Sequence, residues 1–177
     1  MIEISPNILH IRPSDRQKSC GTLEFGHTHY RCLLGKSGIA ARKIEGDNAT
    51  PVGRFEVLYG FYRADRVPKP ATKISMIALK PNAAWCDDPN HRSYNRYVEL
   101  PFAGRFEHLW RKDNLYDICI VLNHNQHPRK RNAGSAIFFH LASEFENPTQ
   151  GCVAVNYLQM IHILRRCEPD CALNIQL

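Results

Sequence analysis

The reading of this chain turns on SAIFFHLASEFENPTQGCVAVN, residues 135–156. Two apolar runs, SAIFFHL (135–141) and CVAV (152–155), flank a polar segment carrying Pro148 and Gly151. Each run is short, bounded by turn formers and rich in β-branched or aromatic residues, which is the pattern of a strand. His140 falls near the end of the first run and Cys152 opens the second. If the two strands lie side by side, the loop 142–151 returns the cysteine to the histidine.

That pairing matters chemically. A cysteine attacks as the thiolate, and an ordinary thiol with a pKa of ~8.5 is ionised only to a few per cent at neutral pH. A histidine within reach takes the proton and later returns it to a leaving amine. Glycine before the cysteine leaves the main chain open, so that backbone N–H groups can face a developing oxyanion. The competing reading is a buried cysteine that only fills core.

Working outward, Gly, Pro, Asn and Asp recur at short intervals, and the segments between them read as strands: 7–11, 21–25, 28–35, 53–63, 73–79, 97–101, 117–123, 135–141, 152–155 and 173–177. In 28–35, Tyr30, Cys32 and Leu34 alternate with their neighbours, as a half-buried strand requires. A helix is expected over 156–166. Asn156 is placed to cap it, Tyr157, Leu158, Ile161 and Leu164 follow helical spacing, and Arg165 and Arg166 occupy the last turn. FEHLWRK (106–112) is expected to form a second, shorter helix. The fold class is therefore mainly β with one or two flanking helices, and 1–177 is expected to be one domain. Three long loops, 36–51, 80–95 and 124–134, are where function is expected on such a scaffold.

Hydrophobic residues make up 44% and charged residues 23% of the chain, which excludes a disordered or fibrous protein. The net charge of +6 favours acidic partners. The only dense basic run, Arg129-Lys130-Arg131, lacks the helix or aromatic signature of nucleic-acid binding, and no nucleic acid is expected. The seven cysteines form no regular framework. The opening MIEISPNILHIRPSDRQK holds no apolar signal core and no run approaches a membrane span, so a cytoplasmic protein with free thiols and no membrane anchor is expected; a periplasmic protein is the alternative. His27, His29 and Cys32 form one loose donor group, and His162, Cys167 and Cys171 another. Neither has zinc-site spacing, so no metal and no cofactor is expected. The oligomeric state is left open.

Two tracts carry a family resemblance. Thr50-Pro51-Val52-Gly53-Arg54-Phe55 resembles the T-P-x-G-x-F element of L,D-transpeptidase (YkuD-like) catalytic domains. His140 followed by Thr149-Gln150-Gly151-Cys152 is similar to their histidine and S/T-x-G-C motif. The resemblance spans roughly residues 20–177. It implies a β-sandwich or curved mixed sheet. It also implies that Cys152 attacks the L-centre carbonyl of the third residue of a peptidoglycan stem peptide, releasing the terminal D-alanine. His140 would serve as base, oriented by a carbonyl around Leu141, backbone N–H groups at Gly151 and Cys152 would hold the oxyanion, and the thioester would be resolved by an amine. Leu141, Gln150 and Ala154 depart from common members, which bears on substrate contacts and on the acceptor.

Around this centre, Thr149, Trp85, Asp87 and His124 are further candidates. Trp85-Cys86-Asp87-Asp88-Pro89 reads either as a wall of the site, with Trp85 against the peptide and a carboxylate meeting its amine, or as an acidic turn with an aromatic plug. His124 reads either as support for His140 or as a surface-loop residue. Three functions follow: transpeptidation, L,D-carboxypeptidation with water in the same place, or a non-catalytic module binding muropeptide or nucleic acid.

Overall fold

The computed structural model describes residues 7–142 and 147–177. The centre of the 142–151 loop therefore lies outside the described residues. In chain order the elements are β1 (Ile8–Pro13), β2 (Cys20–Phe25), β3 (Thr28–Leu33), β4 (Ile39–Ala40), β5 (Thr50–Pro51), β6 (Gly53–Tyr62), β7 (Met76–Ala78), β8 (Ala83–Cys86), β9 (Arg96–Glu99), β10 (Phe106–His108), β11 (Ile118–Leu122), β12 (Phe138–Leu141), β13 (Val153–Val155), α1 (Tyr157–Arg166) and β14 (Ala172–Ile175).

The fold is mainly β. Nine strands run in the order β11-β12-β13-β3-β2-β1-β14-β6-β7, and β11 also pairs with β6, so the sheet curves and closes on itself. The long β6 makes closure possible. Residues 53–56 pair with β14, and residues from Val57 to Tyr62 pair with β11. Most neighbours are antiparallel, but β12–β13, β1–β14 and β6–β7 are parallel. A separate three-stranded sheet, β10-β8-β9, covers part of the outer surface.

This second layer explains why DICIVLN, SAIFFHL and CVAV are continuously apolar. A strand buried on both faces loses the alternation of a half-exposed one. Ile118, Ile120, Leu122, Phe139, Leu141, Val153 and Val155 point into the enclosed core, which the apolar face of α1 also joins through Met160, Ile163 and Leu164. Cys119, Val121, Phe138 and Cys152 point outward, against Trp85, Leu109 and Tyr116.

The helix begins where expected. Asn156 accepts from the Gln159 N–H, and the Gln159 side chain accepts from the Asn156 N–H, forming a capping box. FEHLWRK, expected as a helix, instead begins with strand β10. Phe106, Glu107 and His108 pair with Cys86, Trp85 and Ala84 of β8. Its partner strand lay hidden in the segment expected to be a long loop, 80–95. Cross-strand pairing overrode a spacing of Phe106, Leu109 and Trp110 that mimicked a helix. One helix is therefore present among the described residues.

Asn156→Ala removes the side-chain half of the cap. It is expected to cost about 1 kcal/mol, lowering the thermal midpoint by roughly 2–4 °C, which differential scanning calorimetry would register.

Candidate active site

Cys152 and His140 share the outer face through strand parity. His140 is opposite Ala154, so Cys152, two residues earlier, falls level with Phe138. One strand across and two residues along separate their Cα atoms by roughly 8 Å. Both side chains line one cleft, about 180 Å³ in volume, with Lys43, Glu45, Glu107, Arg111 and Tyr116 among its walls.

The turn into Cys152 is pinned from two sides. Thr149 extends the β3 edge: its N–H donates to the Leu34 carbonyl (3.0 Å), and its carbonyl accepts from Lys36 (2.9 Å). Its hydroxyl donates to the Cys152 carbonyl (2.7 Å) and accepts from the Gly151 N–H (3.1 Å). Buried Thr50 reaches the same Cys152 carbonyl at 3.4 Å and accepts from Gly35 N–H at 2.8 Å. The upstream T-P-x-G-x-F tract is thus in contact with the cysteine turn. Glycine is required at 151, where φ is +131° and a Cβ would lie 2.8 Å from the Ala49 carbonyl oxygen.

The sulfur is only 7% exposed at residue level. It donates to the Ala136 carbonyl (3.1 Å) and accepts from the Phe138 N–H (3.3 Å). Burial pushes the Cys152 thiol up to about 12. The charge of Glu107 adds to this, while the Phe138 N–H and Lys43 work against it. Burial likewise pulls His140 down to about 4, helped by the Arg111 charge and opposed by carbonyls of Leu141 and Leu115. At rest the two groups are a neutral thiol and a neutral imidazole. His140 Nδ1 sits 2.8 Å from the Leu141 carbonyl. Only an N–H can bond that oxygen, so Nε2 keeps its lone pair for a proton.

The ring of His140 is also held by aromatic packing. Tyr116 meets it edge-on, with centroids 5.1 Å apart, and the Tyr116 hydroxyl donates to Glu107 at 2.6 Å. Arg111 lies 5.2 Å above the Tyr116 ring and forms a bidentate pair with Asp113 (2.8 and 2.7 Å).

Of the other candidates, Thr149 and Asp87 line the cleft. Asp87 is paired there with Arg105 at 3.0 Å. Trp85 does not face the cleft: it is 1% exposed, packs edge-on against Phe138, and donates to Asn95 Oδ1 at 2.9 Å. The aromatic-plug reading is correct for this residue, because β8 buries it beneath the sheet. His124 is outside the cleft lining too. It sits edge-on against Phe55, and its Nε2 is 2.9 Å from the Ala133 carbonyl, so it does not orient His140. The Gly151 N–H, expected free for an oxyanion, is engaged by the Thr149 hydroxyl. Among the described residues no group of three His, Cys, Asp or Glu side chains is placed to hold a metal.

Asn95 was missed by the sequence reading. Its Oδ1 accepts from Trp85 and from the Ala136 N–H (3.1 Å), and its Nδ2 donates to the carbonyls of His124 and Asn125. It clamps Ala136, a non-glycine residue at φ +51°, whose carbonyl receives the Cys152 thiol proton. A single buried asparagine in a loop gives no sequence signal for such a role.

Comparison with family models matches residues 14–175 to the L,D-transpeptidase catalytic domain, YkuD. The chain belongs to this family, whose general activity is L,D-transpeptidase-type acyl transfer on peptidoglycan. No curated protein and no solved structure gave a significant match.

Two outcomes follow from the electrostatics. His140 is depressed from its ordinary 6.5 in the folded state. Its stabilising contribution is complete above pH 6.5 and is lost as pH falls toward 4, to the extent of about 3 kcal/mol. Urea titrations across that range should show a flatter slope for His140→Gln than for the parent chain. Glu107→Gln removes a charge that opposes the thiolate. Iodoacetamide should then modify Cys152 several-fold faster at pH 8, with the rate–pH curve displaced to lower pH.

Proposed function

We propose that the chain is a cysteine acyltransferase acting on peptidoglycan stem peptides, with Cys152 as nucleophile and His140 as base. The observation that carries this reading is the shared cleft, in which the thiol and an imidazole of fixed tautomer project from adjacent parallel strands. A buried neutral pair is poorly suited to a standing thiolate–imidazolium couple. Proton transfer therefore accompanies attack, once substrate has displaced water from the cleft.

His140 Nε2 takes the thiol proton as Sγ attacks the L-centre carbonyl of the third stem residue. The Cys152 N–H would steady the oxyanion, joined by Gly151 when its bond to Thr149 is exchanged. The imidazolium then protonates the departing D-alanine amine, leaving a thioester on Cys152. An incoming neutral amine attacks the thioester and gives a proton to His140, which passes it to the departing Sγ, so that the amide forms, the C–S bond breaks and the thiol is regenerated. Two basic and three acidic side chains line the cleft, so its local balance differs from the +6 of the chain. Carboxylates already held by hydroxyls, Glu45 by Tyr94 and Ser135 and Glu107 by Tyr116, suit an amine better than a further anion. That favours aminolysis over hydrolysis as the second step.

Incubation with a tetrapeptide stem, with and without a free D-amino acid, tests the reading by mass spectrometry. Exchanged tetrapeptide and a substrate-derived acyl adduct on Cys152 are expected, both absent from Cys152→Ala. Tripeptide alone in both conditions assigns the chain to hydrolysis. Unchanged stem, or turnover by Cys152→Ala, overturns the cysteine mechanism.

A further inference from the structure

The helix that follows the nucleophile strand ends in two thiols that the cleft does not use. Cys167 caps α1, its N–H reaching the Ile163 and Leu164 carbonyls at 3.1 and 3.3 Å. The chain then turns through Glu168-Pro169-Asp170, closed by the Cys171 N–H donating to the Glu168 carbonyl at 3.0 Å. The turn brings the Cys171 S–H onto Cys167 Sγ at 3.2 Å, the one thiol–thiol hydrogen bond among the described residues. Both cysteines belong to the enclosed core, at 4% and 0% exposure.

A metal role has lost its third donor. His162, which the sequence groups with this pair, is turned to Tyr30, whose hydroxyl lies 2.6 Å from its Nδ1. What remains is two sulfurs in contact without another ligand. Their separation is little more than 1 Å beyond the ~2.05 Å of an S–S bond, on a chain segment that already bends to hold them there.

We propose that Cys167 and Cys171 are an oxidisable dithiol site, closed to an intramolecular disulfide by exchange with a disulfide-class oxidant. The slightly more exposed Cys167 reacts first. It gives its proton to solvent, and its thiolate attacks one sulfur of the oxidant, breaking that S–S bond and expelling one thiol. The Cys171 thiolate, likewise deprotonated, attacks Cys167 Sγ of the mixed disulfide and expels the second thiol. Two electrons pass from the protein sulfurs to the oxidant, and the two protons end on its two thiols. The product ties the end of α1 to the residue immediately before β14, a strand fixed between β1 and β6. The opposite end of α1 leads back through β13 to Cys152, so the link stabilises the frame behind the cleft without entering it.

The test uses the full chain equilibrated with glutathione mixtures from fully reduced to fully oxidised, then acid-quenched, alkylated and mapped by peptide mass spectrometry. The expected product is a peptide joining Cys167 to Cys171, lighter than the dithiol by about 2 Da. A thermal midpoint raised by a few degrees should accompany it, and Cys167→Ser and Cys171→Ser should each abolish that rise. The proposal is overturned if both residues are recovered alkylated after exposure to oxidised glutathione. A persistent glutathione adduct on one of them, or either joined to a different cysteine, overturns it equally. If the serine variants fold poorly, the peptide map of the unsubstituted chain decides alone.

Discussion

The site rests on one backbone crossing, where Ala49–Thr50 passes against Gly151–Cys152. The Ala49 carbonyl occupies the space a side chain at 151 would need, and the Thr50 hydroxyl bonds the Cys152 carbonyl. Two segments a hundred residues apart thus fix each other. With Thr149 fastened to the end of β3, the cysteine enters β13 at a set height. Every other distance in the cleft follows, because the strand beyond it is locked in register with β12.

That placement carries an electrostatic cost. The same second layer that covers β11 and β12 desolvates the thiol and the imidazole, driving both toward neutrality. In the mechanism proposed above, thiol reactivity is switched on by the contact between Cys152 and a carbonyl rather than stored beforehand. Asn95 and Tyr116 hold the arrangement from behind: one sets the carbonyl that receives the S–H, and the other sets the face of the imidazole ring.

The strands, the capped helix and the placement of His140 and Cys152 on one face were legible because each rests on local chemistry. Apolar runs between turn formers give strands, Asn156 gives a cap, and parity places His140 and Cys152 on one face once their strands are neighbours. What escaped was non-local. β10 needed β8 as a partner, and β8 was concealed in a segment dense with Pro, Asn and Asp. Trp85 and His124 have compositions that suit a binding site, but burial beneath a covering sheet and a bond to Ala133 settle them elsewhere. The Asn95 side chain acts through three main-chain groups and one indole, none of which a residue pattern announces.

Closure of the sheet has a consequence for how such a scaffold can vary. In a ring of hydrogen-bonded strands, adding one residue inside β12 or β13 would rotate every later side chain to the opposite surface, and no free edge exists there to absorb the slip. Length can change only in the connections. Of those connections, Lys43, Glu45, Gly46 and Asn48 border the cleft, whereas Thr149 is fastened to the cysteine turn. The architecture therefore separates two kinds of inheritance: the positions of Cys152 and His140 are held by arithmetic parity, while the rim carrying Lys43 to Asn48 is free to lengthen, shorten and diversify.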